Sequence, residues 1–303
     1  MKHKTRLKAI FQALFVTFLW STSWVLIKIG LQTDLPAVTF AGLRYTIAFL
    51  CLLPLVLINP KHRKAIRSFS HASWLQLLLL GFLFYSITQG AQYISLEFLP
   101  AATLSLLLNF SPIFVALGSG LINKEPPSIV HWGGILFSTI GAMVYFFPLE
   151  IQPGQVLGLA IGFVCVLANA GSSLVGRQVN QKRGLSPILV TVISMGFGGL
   201  LLLVIGLTTQ GIEKLSITHW LIVTWLAIVN TAVAFTWWNN SLRILTAVES
   251  SILNSTMLPQ IAILAWLFLD EPLNGREIIG IILVSVGALV VQLRRNPISN
   301  RER

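Results

Sequence analysis

The sequence predicts an all-α integral membrane protein with ten transmembrane helices in two inverted five-helix repeats. Three observations carry this prediction. Of the 303 residues, 55% are hydrophobic and only 10% are charged, whereas about a quarter of a soluble domain is charged. Apolar runs long enough to cross a bilayer, roughly twenty residues each, recur along the whole chain. The second half of the chain also repeats the end of the first half at a fixed offset.

The apolar runs are separated by turn and stop signals such as Asn59-Pro60 and Gln152-Pro153-Gly154. Strands of a β-barrel would instead show about ten residues of alternating pattern, which the sequence lacks. The basic start of the chain is typical of a signal peptide, but no small-residue cleavage site follows it, so we expect the first run to be a retained helix. The predicted spans are 8–28, 37–58, 73–95, 99–122, 128–148, 154–176, 186–207, 217–240, 246–269 and 274–293.

The basic residues predict the orientation of these spans. With the N-terminus inside, 17 of the 21 Lys and Arg residues fall on the cytoplasmic side, as the positive-inside rule requires. Both termini are therefore expected in the cytoplasm, and the protein in the cell inner (plasma) membrane. The net charge of +11 does not indicate a nucleic-acid partner, because the basic residues lie in short clusters between apolar runs.

An internal repeat explains why acidic turns interrupt the apolar runs. An offset of 146 residues pairs Glu125-Pro126 with Glu271-Pro272, and proline is tolerated in the first turn of a helix. Each repeat holds five helices, an odd number, so the two repeats must insert in opposite orientations. The predicted domains are 1–150, and 151–303 with a short basic tail at its C-terminal end.

Glycines at heptad spacing predict close helix packing near the end of each repeat. They are Gly134 and Gly141 in the first repeat and Gly280 and Gly287 in the second. The sequence leaves open whether they serve contact between the repeats or between protomers. A monomer and a homodimer are both compatible with it.

Several motifs resemble those of an EamA domain, a unit of the drug/metabolite transporter superfamily. They are LWSTSWVLIKIG and LPAVTFAGLRY at the start of the first repeat, and NKEPP near its end, with SLRILTAVESSILNSTMLPQIAILAWLFLDEP in the second. The resemblance covers nearly the whole chain. It implies a carrier of small organic solutes, often amino acids or related metabolites, that commonly acts as an exporter. No cation of the second repeat matches Lys28 or Arg44 of the first.

Inverted repeats are the organisation of many secondary transporters, in which alternating access opens a site at the membrane midplane to each side in turn. Together with this organisation, the resemblance implies export of a small organic metabolite, such as an amino acid or a related amphiphilic solute. A passive channel or facilitator and a membrane receptor are the alternatives. The sequence has no nucleotide-binding loop, no nucleophile–base pair and no paired carboxylates, so we expect neither an enzyme nor a cofactor nor a metal. The expected partners are the small-molecule substrate and the lipid bilayer.

Polar and aromatic residues near the centres of the spans predict the substrate site between helices one, three, four, six, eight and nine. An amide in hydrocarbon requires a partner, which is either a solute or a neighbouring helix. Helical spacing places Trp20, Ser23 and Trp24 on one face, and Asn230 and Trp237 on another. The predicted substrate-binding residues are Trp20, Trp24, Gln89, Asn109, Asn169, Asn230, Trp237 and Asn254.

The ionisable residues near the spans have two readings each. Lys28 and Arg44 either attract anionic groups in an outer vestibule or extend their side chains to the membrane surface. Glu249 is either a proton-coupling group or the partner of Thr246 in a capping box at a helix start. Pro112 and Pro259 lie inside the fourth and ninth spans, where each removes a backbone hydrogen bond, so we expect kinks and an exposed carbonyl there.

Overall fold

The computed structural model of the protein is all-helical, and it describes residues 2–31, 35–99, 101–147, 153–182, 185–212, 215–268 and 275–293. Its helices are α1 (Lys2–Leu31), α2 (Ala37–Ile58), α3 (Pro60–Arg67), α4 (His71–Phe98), α5 (Ala101–Leu108), α6 (Ser111–Asn123), α7 (Ile129–Phe146), α8 (Val156–Gln181), α9 (Pro187–Thr209), α10 (Ile217–Ser241), α11 (Ala247–Ser255), α12 (Met257–Phe268) and α13 (Gly275–Leu293). Within this described part, seven helical stretches are long and apolar enough to span a membrane, and shorter apolar helices accompany them.

Two of the apolar runs are interrupted close to the prolines at which kinks are expected. In the first repeat α5 ends at Leu108 and α6 begins at Ser111, with Pro112 in its first turn, where the missing N–H costs nothing. In the second repeat α11 ends at Ser255 and α12 begins at Met257. The offset of 146 residues maps residue 111 onto residue 257, so the two breaks are equivalent.

The short helix α3 was not predicted, because Pro60–Arg67 contains no apolar run. Its first turn is stabilised locally: Pro60 occupies the first position, and the Asn59 side chain accepts a hydrogen bond of 3.0 Å from the backbone N–H of Lys61. None of its residues is buried. The helix therefore carries its basic side chains on the surface.

Three helices contain a wider, π-helical segment, which the sequence pattern also did not predict. One of them, Ser119–Asn123, ends α6, and the two others are Phe82–Thr88 within α4 and Ile228–Val233 within α10. The starts of these two others differ by 146 residues, so they occupy equivalent positions in the two repeats. A π turn takes in an extra residue, and each extra residue rotates the following side chains by about 100° around the helix axis.

The repeats contact each other through two pairs of equivalent helices, α2 with α9 and α7 with α13. A Cβ atom added at Gly141 would lie 2.7 Å from the backbone nitrogen of Val284, and one added at Gly287 would lie 2.7 Å from the carbonyl oxygen of Gly134. The two backbones thus approach as closely as small residues allow. The heptad glycines serve contact between the repeats.

The first helix of each repeat packs against the other repeat. α1 contacts α10, α11 and α12, and α8 contacts α4, α5 and α6. We call the end of the molecule where α1 begins and α2 ends the N-terminal face. A cavity lies between the two repeats, where the first helix of each repeat packs against the other. It is about midway along the helices that surround it.

Candidate functional site

Side chains from both repeats line this central cavity. Its aromatic side chains are Trp20, Trp24, Tyr45, Phe84, Phe235 and Trp238, and its polar side chains are Ser23, Arg44, Gln89, Gln92, Asn169, Ser173 and Asn254. The cavity has a volume of about 60 Å³, which is room for a few water molecules. An organic solute can therefore enter only when the lining side chains move apart.

The aromatic wall is held together by ring–ring contacts that centre on Trp20. The Trp20 ring lies 4.8 Å from the Phe235 ring and 5.0 Å from the Trp238 ring, measured between centroids, and it meets Phe84 edge to face at 6.5 Å. Such pairs are stabilised beyond their buried area. The first repeat supplies Trp20 and Phe84 and the second supplies Phe235 and Trp238, so the wall joins the two repeats.

The cavity also offers polar atoms that the fold leaves unsatisfied. Trp20 Nε1 and Asn254 Oδ1 are buried and have no hydrogen-bond partner within the described residues. Buried polar groups in proteins are rarely left without a partner. One unpartnered donor and one unpartnered acceptor thus belong to residues that line the cavity.

Arg44 belongs to this cavity and not to an outer vestibule, and its side chain does not extend to the surface. Its residue is only 2% exposed. The guanidinium donates hydrogen bonds to the Thr231 hydroxyl (2.7 Å), the Tyr93 hydroxyl (3.2 Å) and the backbone oxygen of Asn230 (3.3 Å). It also lies 5.2 Å from the centroid of the Tyr45 ring. Arg44 and Lys28, which the sequence placed in one outer vestibule, thus line different pockets.

Lys28 lies in a different pocket, near the end of α1 that is remote from the N-terminal face. This pocket has a volume of about 320 Å³, and Glu97 is its acidic member among the described residues. Lys28 is half-buried. The central cavity and the Lys28 pocket have no lining residue in common.

Five of the eight predicted substrate-binding residues line the cavity, namely Trp20, Trp24, Gln89, Asn169 and Asn254. The amide of Asn109 instead donates a hydrogen bond of 3.0 Å to the backbone oxygen of Ser138. The amide of Asn230 donates to the Leu19 backbone oxygen and to the Thr22 hydroxyl. Asn109 and Asn230 therefore form hydrogen bonds between helices and do not line the cavity.

Trp237, like Asn109 and Asn230, is a predicted substrate-binding residue that does not line the cavity. It is 41% exposed and packs against Phe15, whereas its neighbour Trp238 is 5% exposed and lines the cavity. The predicted face assumed 3.6 residues per turn from Asn230 onwards. The π-helical segment Ile228–Val233 adds a residue, so the face that looks inward moves on by one position.

Glu249 forms the capping box that its spacing from Thr246 predicts. The Thr246 backbone N–H donates to Glu249 Oε2 (2.8 Å), and the Glu249 N–H donates to the Thr246 hydroxyl (3.1 Å). The other carboxylate oxygen of Glu249 forms an ion pair of 2.7 Å with Arg6 Nη2. The residue is buried. Glu249 is therefore both a helix cap and half of an ion pair between the repeats.

A second ion pair joins the repeats at the same face. Arg177 Nη2 lies 2.8 Å from Glu125 Oε1, and Arg177 Nη1 donates a hydrogen bond of 2.6 Å to the backbone oxygen of Leu242. Among the described residues no group of His, Cys, Asp and Glu has the arrangement of a metal site. The ion pairs Arg6–Glu249 and Arg177–Glu125 thus connect the two repeats to each other.

Aromatic, arginine and amide side chains missed by the sequence reasoning complete the cavity. Helical spacing puts Ser23 on the face of Trp20 and Gln92 on the face of Gln89, so this signal could have added both to the predicted site. Arg44 could have been found from the cost of a charge inside a span, which such residues offset by facing the protein interior. Phe235 and Trp238 carried no signal, because the π-helical segment that turns them inward is not visible in the sequence.

Known proteins resemble the chain over nearly its whole length. A model of the family described as EamA-like transporter family matches residues 7–147 and again residues 156–293. The chain is 25% identical over 300 residues to an uncharacterized transporter of Bacillus subtilis, YvbV, covering 97% of this chain and 94% of that protein. It is 24% identical over 292 residues to an Escherichia coli protein named "Probable amino-acid metabolite efflux pump", covering 92% of each. A solved crystal structure matches with a TM-score of 0.75 at 18% identity, covering 94% of this chain and 98% of that one, so the two share a fold.

Proposed function

Because the chain belongs to the EamA-like transporter family, we propose that it is a secondary transporter that exports a small organic metabolite, such as an amino acid or a related amphiphilic solute. The observation that carries the proposal is the cavity that both repeats line, with its unsatisfied donor and acceptor on Trp20 and Asn254. The Escherichia coli and Salmonella typhimurium relatives are each named a probable amino-acid metabolite efflux pump, which supports the solute class.

The proposed topology has ten spans in two inverted repeats, with both termini in the cytoplasm. The interrupted helices α5–α6 and α11–α12 each count as one span, and α7 and α13 complete the two repeats. This arrangement makes the N-terminal face cytoplasmic, in agreement with the positive-inside rule. The protein then lies in the inner (plasma) membrane of the cell.

The proposed mechanism is alternating access, in which the repeats move relative to each other around the cavity. The pairs Arg6–Glu249 and Arg177–Glu125 join the repeats at the N-terminal face. They close that face of the cavity, and they must separate when the cavity opens to the cytoplasm. The aromatic wall around Trp20 (the Trp20 wall) has rings from both repeats, and these rings separate in the same movement.

Counterflow in reconstituted vesicles tests the proposed function. Vesicles that contain the purified protein are loaded with an unlabelled mixture of amino acids and aromatic carboxylates, and are diluted into a trace of the same mixture carrying a radiolabel. A carrier exchanges solute, so the label is expected to accumulate transiently above its equilibrium level without ATP. Entry of label without such an overshoot would identify a passive channel, and a requirement for ATP would refute a secondary transporter. Vesicles without protein are the control.

A further inference from the structure

Arg44 places a positive charge in the cavity that no described residue neutralises. An arginine remains protonated in proteins, and this one is 2% exposed. Its described hydrogen-bond partners, Thr231, Tyr93 and the Asn230 backbone, are all neutral. They accept from three of its five N–H groups, and the two others remain available to a ligand. A buried charge is costly unless an opposite charge accompanies it.

The acidic side chains that the structure describes lie elsewhere. Glu97 is in the Lys28 pocket, while Glu125 and Glu249 pair with Arg177 and Arg6. The described lining of the cavity contains no carboxylate, and its other polar members are amides and hydroxyls. The cavity therefore offers an unpaired cation to a solute but no counter-charge for a cationic one.

The rest of the lining is suited to a flat apolar group. The Trp20 ring lies within 6.5 Å of the Phe84, Phe235 and Trp238 rings, and the Phe84 and Phe235 rings lie 5.1 Å apart. Aromatic rings prefer such offset or edge-to-face partners. Trp20 also contributes its unpartnered indole N–H, a second donor to which an anion can bind.

We propose that the solute is an aromatic carboxylate that lacks an amino group, with its carboxylate on Arg44 and its ring against the Trp20 wall. The assignment rests on the proposed function and names the solute class of the same cavity. An ammonium group in this cavity would be repelled by the guanidinium through a medium of low dielectric constant. Among the described lining residues, it would also find only neutral acceptors. A net negative charge is thus favoured over a zwitterion with the same ring.

Four phenyl compounds that differ in charge test this assignment on the purified protein. Hydrocinnamate is phenylalanine without its amino group, hydrocinnamamide is the neutral amide of that acid, and phenylethylamine is phenylalanine without its carboxylate. Binding is followed by the fluorescence of the cavity tryptophans. A hydrogen bond to a charged group is worth about ten- to a hundredfold in affinity, so hydrocinnamate is expected to bind that much more tightly than hydrocinnamamide, with phenylalanine weaker and phenylethylamine weakest.

Variants of the parent protein assign the preference to a residue. Arg44→Gln should abolish the preference for the acid over the amide, and Arg44→Lys, which keeps the charge but loses the forked geometry, should retain part of it. Lys28→Gln is the matched control, since it removes a cation from the other pocket, and should leave the preference intact. Should Arg44→Gln fail to fold, Arg44→Lys and the four ligands on the parent still decide the question.

Equal affinity for the acid and its amide, or tighter binding of phenylalanine or phenylethylamine, would overturn the assignment. So would an unchanged preference in Arg44→Gln, or the failure of all four compounds to bind. Each of these results can coexist with successful counterflow of another solute. The carboxylate assignment and the transport function can therefore fail separately.

Discussion

Arg6 in the first repeat and Glu249 in the second form an ion pair, with Nη2 and Oε1 separated by 2.7 Å. The same carboxylate caps α11 by accepting from the Thr246 backbone N–H. The side chain of Glu249 is 4% exposed and that of Arg6 27%, so the pair is partly shielded from water. One buried carboxylate thus holds both a helix end and the contact between the repeats.

Two substitutions at Glu249 separate these roles. Glu249→Gln removes the charge but keeps a side chain that suits the capping box, whereas Glu249→Ala removes both. We expect Glu249→Gln to cost about 1 kcal/mol of stability, and Glu249→Ala about 1–3 kcal/mol more, because the Thr246 N–H is left without its partner. Thermal unfolding in detergent measures both. Equal losses in the two variants would show that the cap contributes nothing.

The two ion pairs are expected to restrict access to the cavity from the N-terminal face. Ser173→Cys places a thiol in the cavity lining, and an impermeant thiol reagent can be applied to the side of the membrane that holds this face. Glu125→Gln combined with Glu249→Gln should increase the rate of labelling. The same background without Ser173→Cys corrects for Cys51 and Cys165. A rate that the charge changes leave unaltered would contradict a closing role for the pairs.

Close packing of α7 on α13 predicts opposite effects for two glycines of the same helix. An added methyl group at Gly141 meets backbone atoms of α13, whereas Gly133 has nothing within 4 Å of its added Cβ. Gly141→Ala should therefore lower the stability by about 1–3 kcal/mol, and Gly133→Ala should leave it unchanged or raise it by up to about 1 kcal/mol. The midpoint of thermal unfolding provides the comparison. Similar behaviour of the two variants would mean that the packing is looser than described.

The asparagines divide into those that face the cavity and those that bond between helices. Asn254→Ala removes an unpartnered cavity acceptor, so it should change solute affinity and leave thermal stability almost unaltered. Asn109→Ala breaks the hydrogen bond to Ser138 and should destabilise the protein by about 1 kcal/mol without changing the affinity. Ligand titration and thermal unfolding are measured on both variants. A loss of affinity in Asn109→Ala together with unchanged affinity in Asn254→Ala would exclude the proposed cavity lining.

Labelling of surface positions tests the topology. Lys61 is exposed on the short helix α3, at the end of the molecule that the proposal places in the cytoplasm, and Ile212 is exposed at the opposite end, after α9. In intact cells, Ile212→Cys is expected to react with an impermeant thiol reagent and Lys61→Cys only after the membrane is opened. If only Lys61→Cys reacted in intact cells, the protein would have the opposite topology, with the N-terminal face outside the cell.

The helical membrane fold and the transporter family could be predicted from the sequence, and both are confirmed. Length and composition determine where a chain must be helical in a bilayer, because unpaired backbone groups are too costly there. The repeat was visible because turn residues such as Glu125 and Pro126 recur at a constant offset. The two breaks in the apolar runs also followed from local chemistry, since proline cannot donate a backbone hydrogen bond.

The site was predicted only in part, for two physical reasons. The π-helical segment Ile228–Val233 shifts the side chains that follow it around the helix axis, and its geometry has no signal in the amino-acid composition. Trp237 was therefore predicted to face inward in place of Trp238. The direction of a long flexible side chain is set by its partners and not by its depth in the span. Arg44 points into the protein because Thr231 and Tyr93 accept its N–H groups, and these partners are remote in the sequence.

The adjacent tryptophans Trp237 and Trp238 provide the most direct test of the claim that the central cavity is the transport site. The measurement is the initial rate of counterflow in vesicles that contain equal amounts of Trp238→Ala or Trp237→Ala protein. Trp238 is 5% exposed in the cavity wall, whereas Trp237 is 41% exposed and lines a different pocket, beside Lys8 and Gln12. Trp238→Ala should therefore lose most of the rate, and Trp237→Ala should keep it. Equal rates in the two variants, or loss in Trp237→Ala alone, would contradict the account.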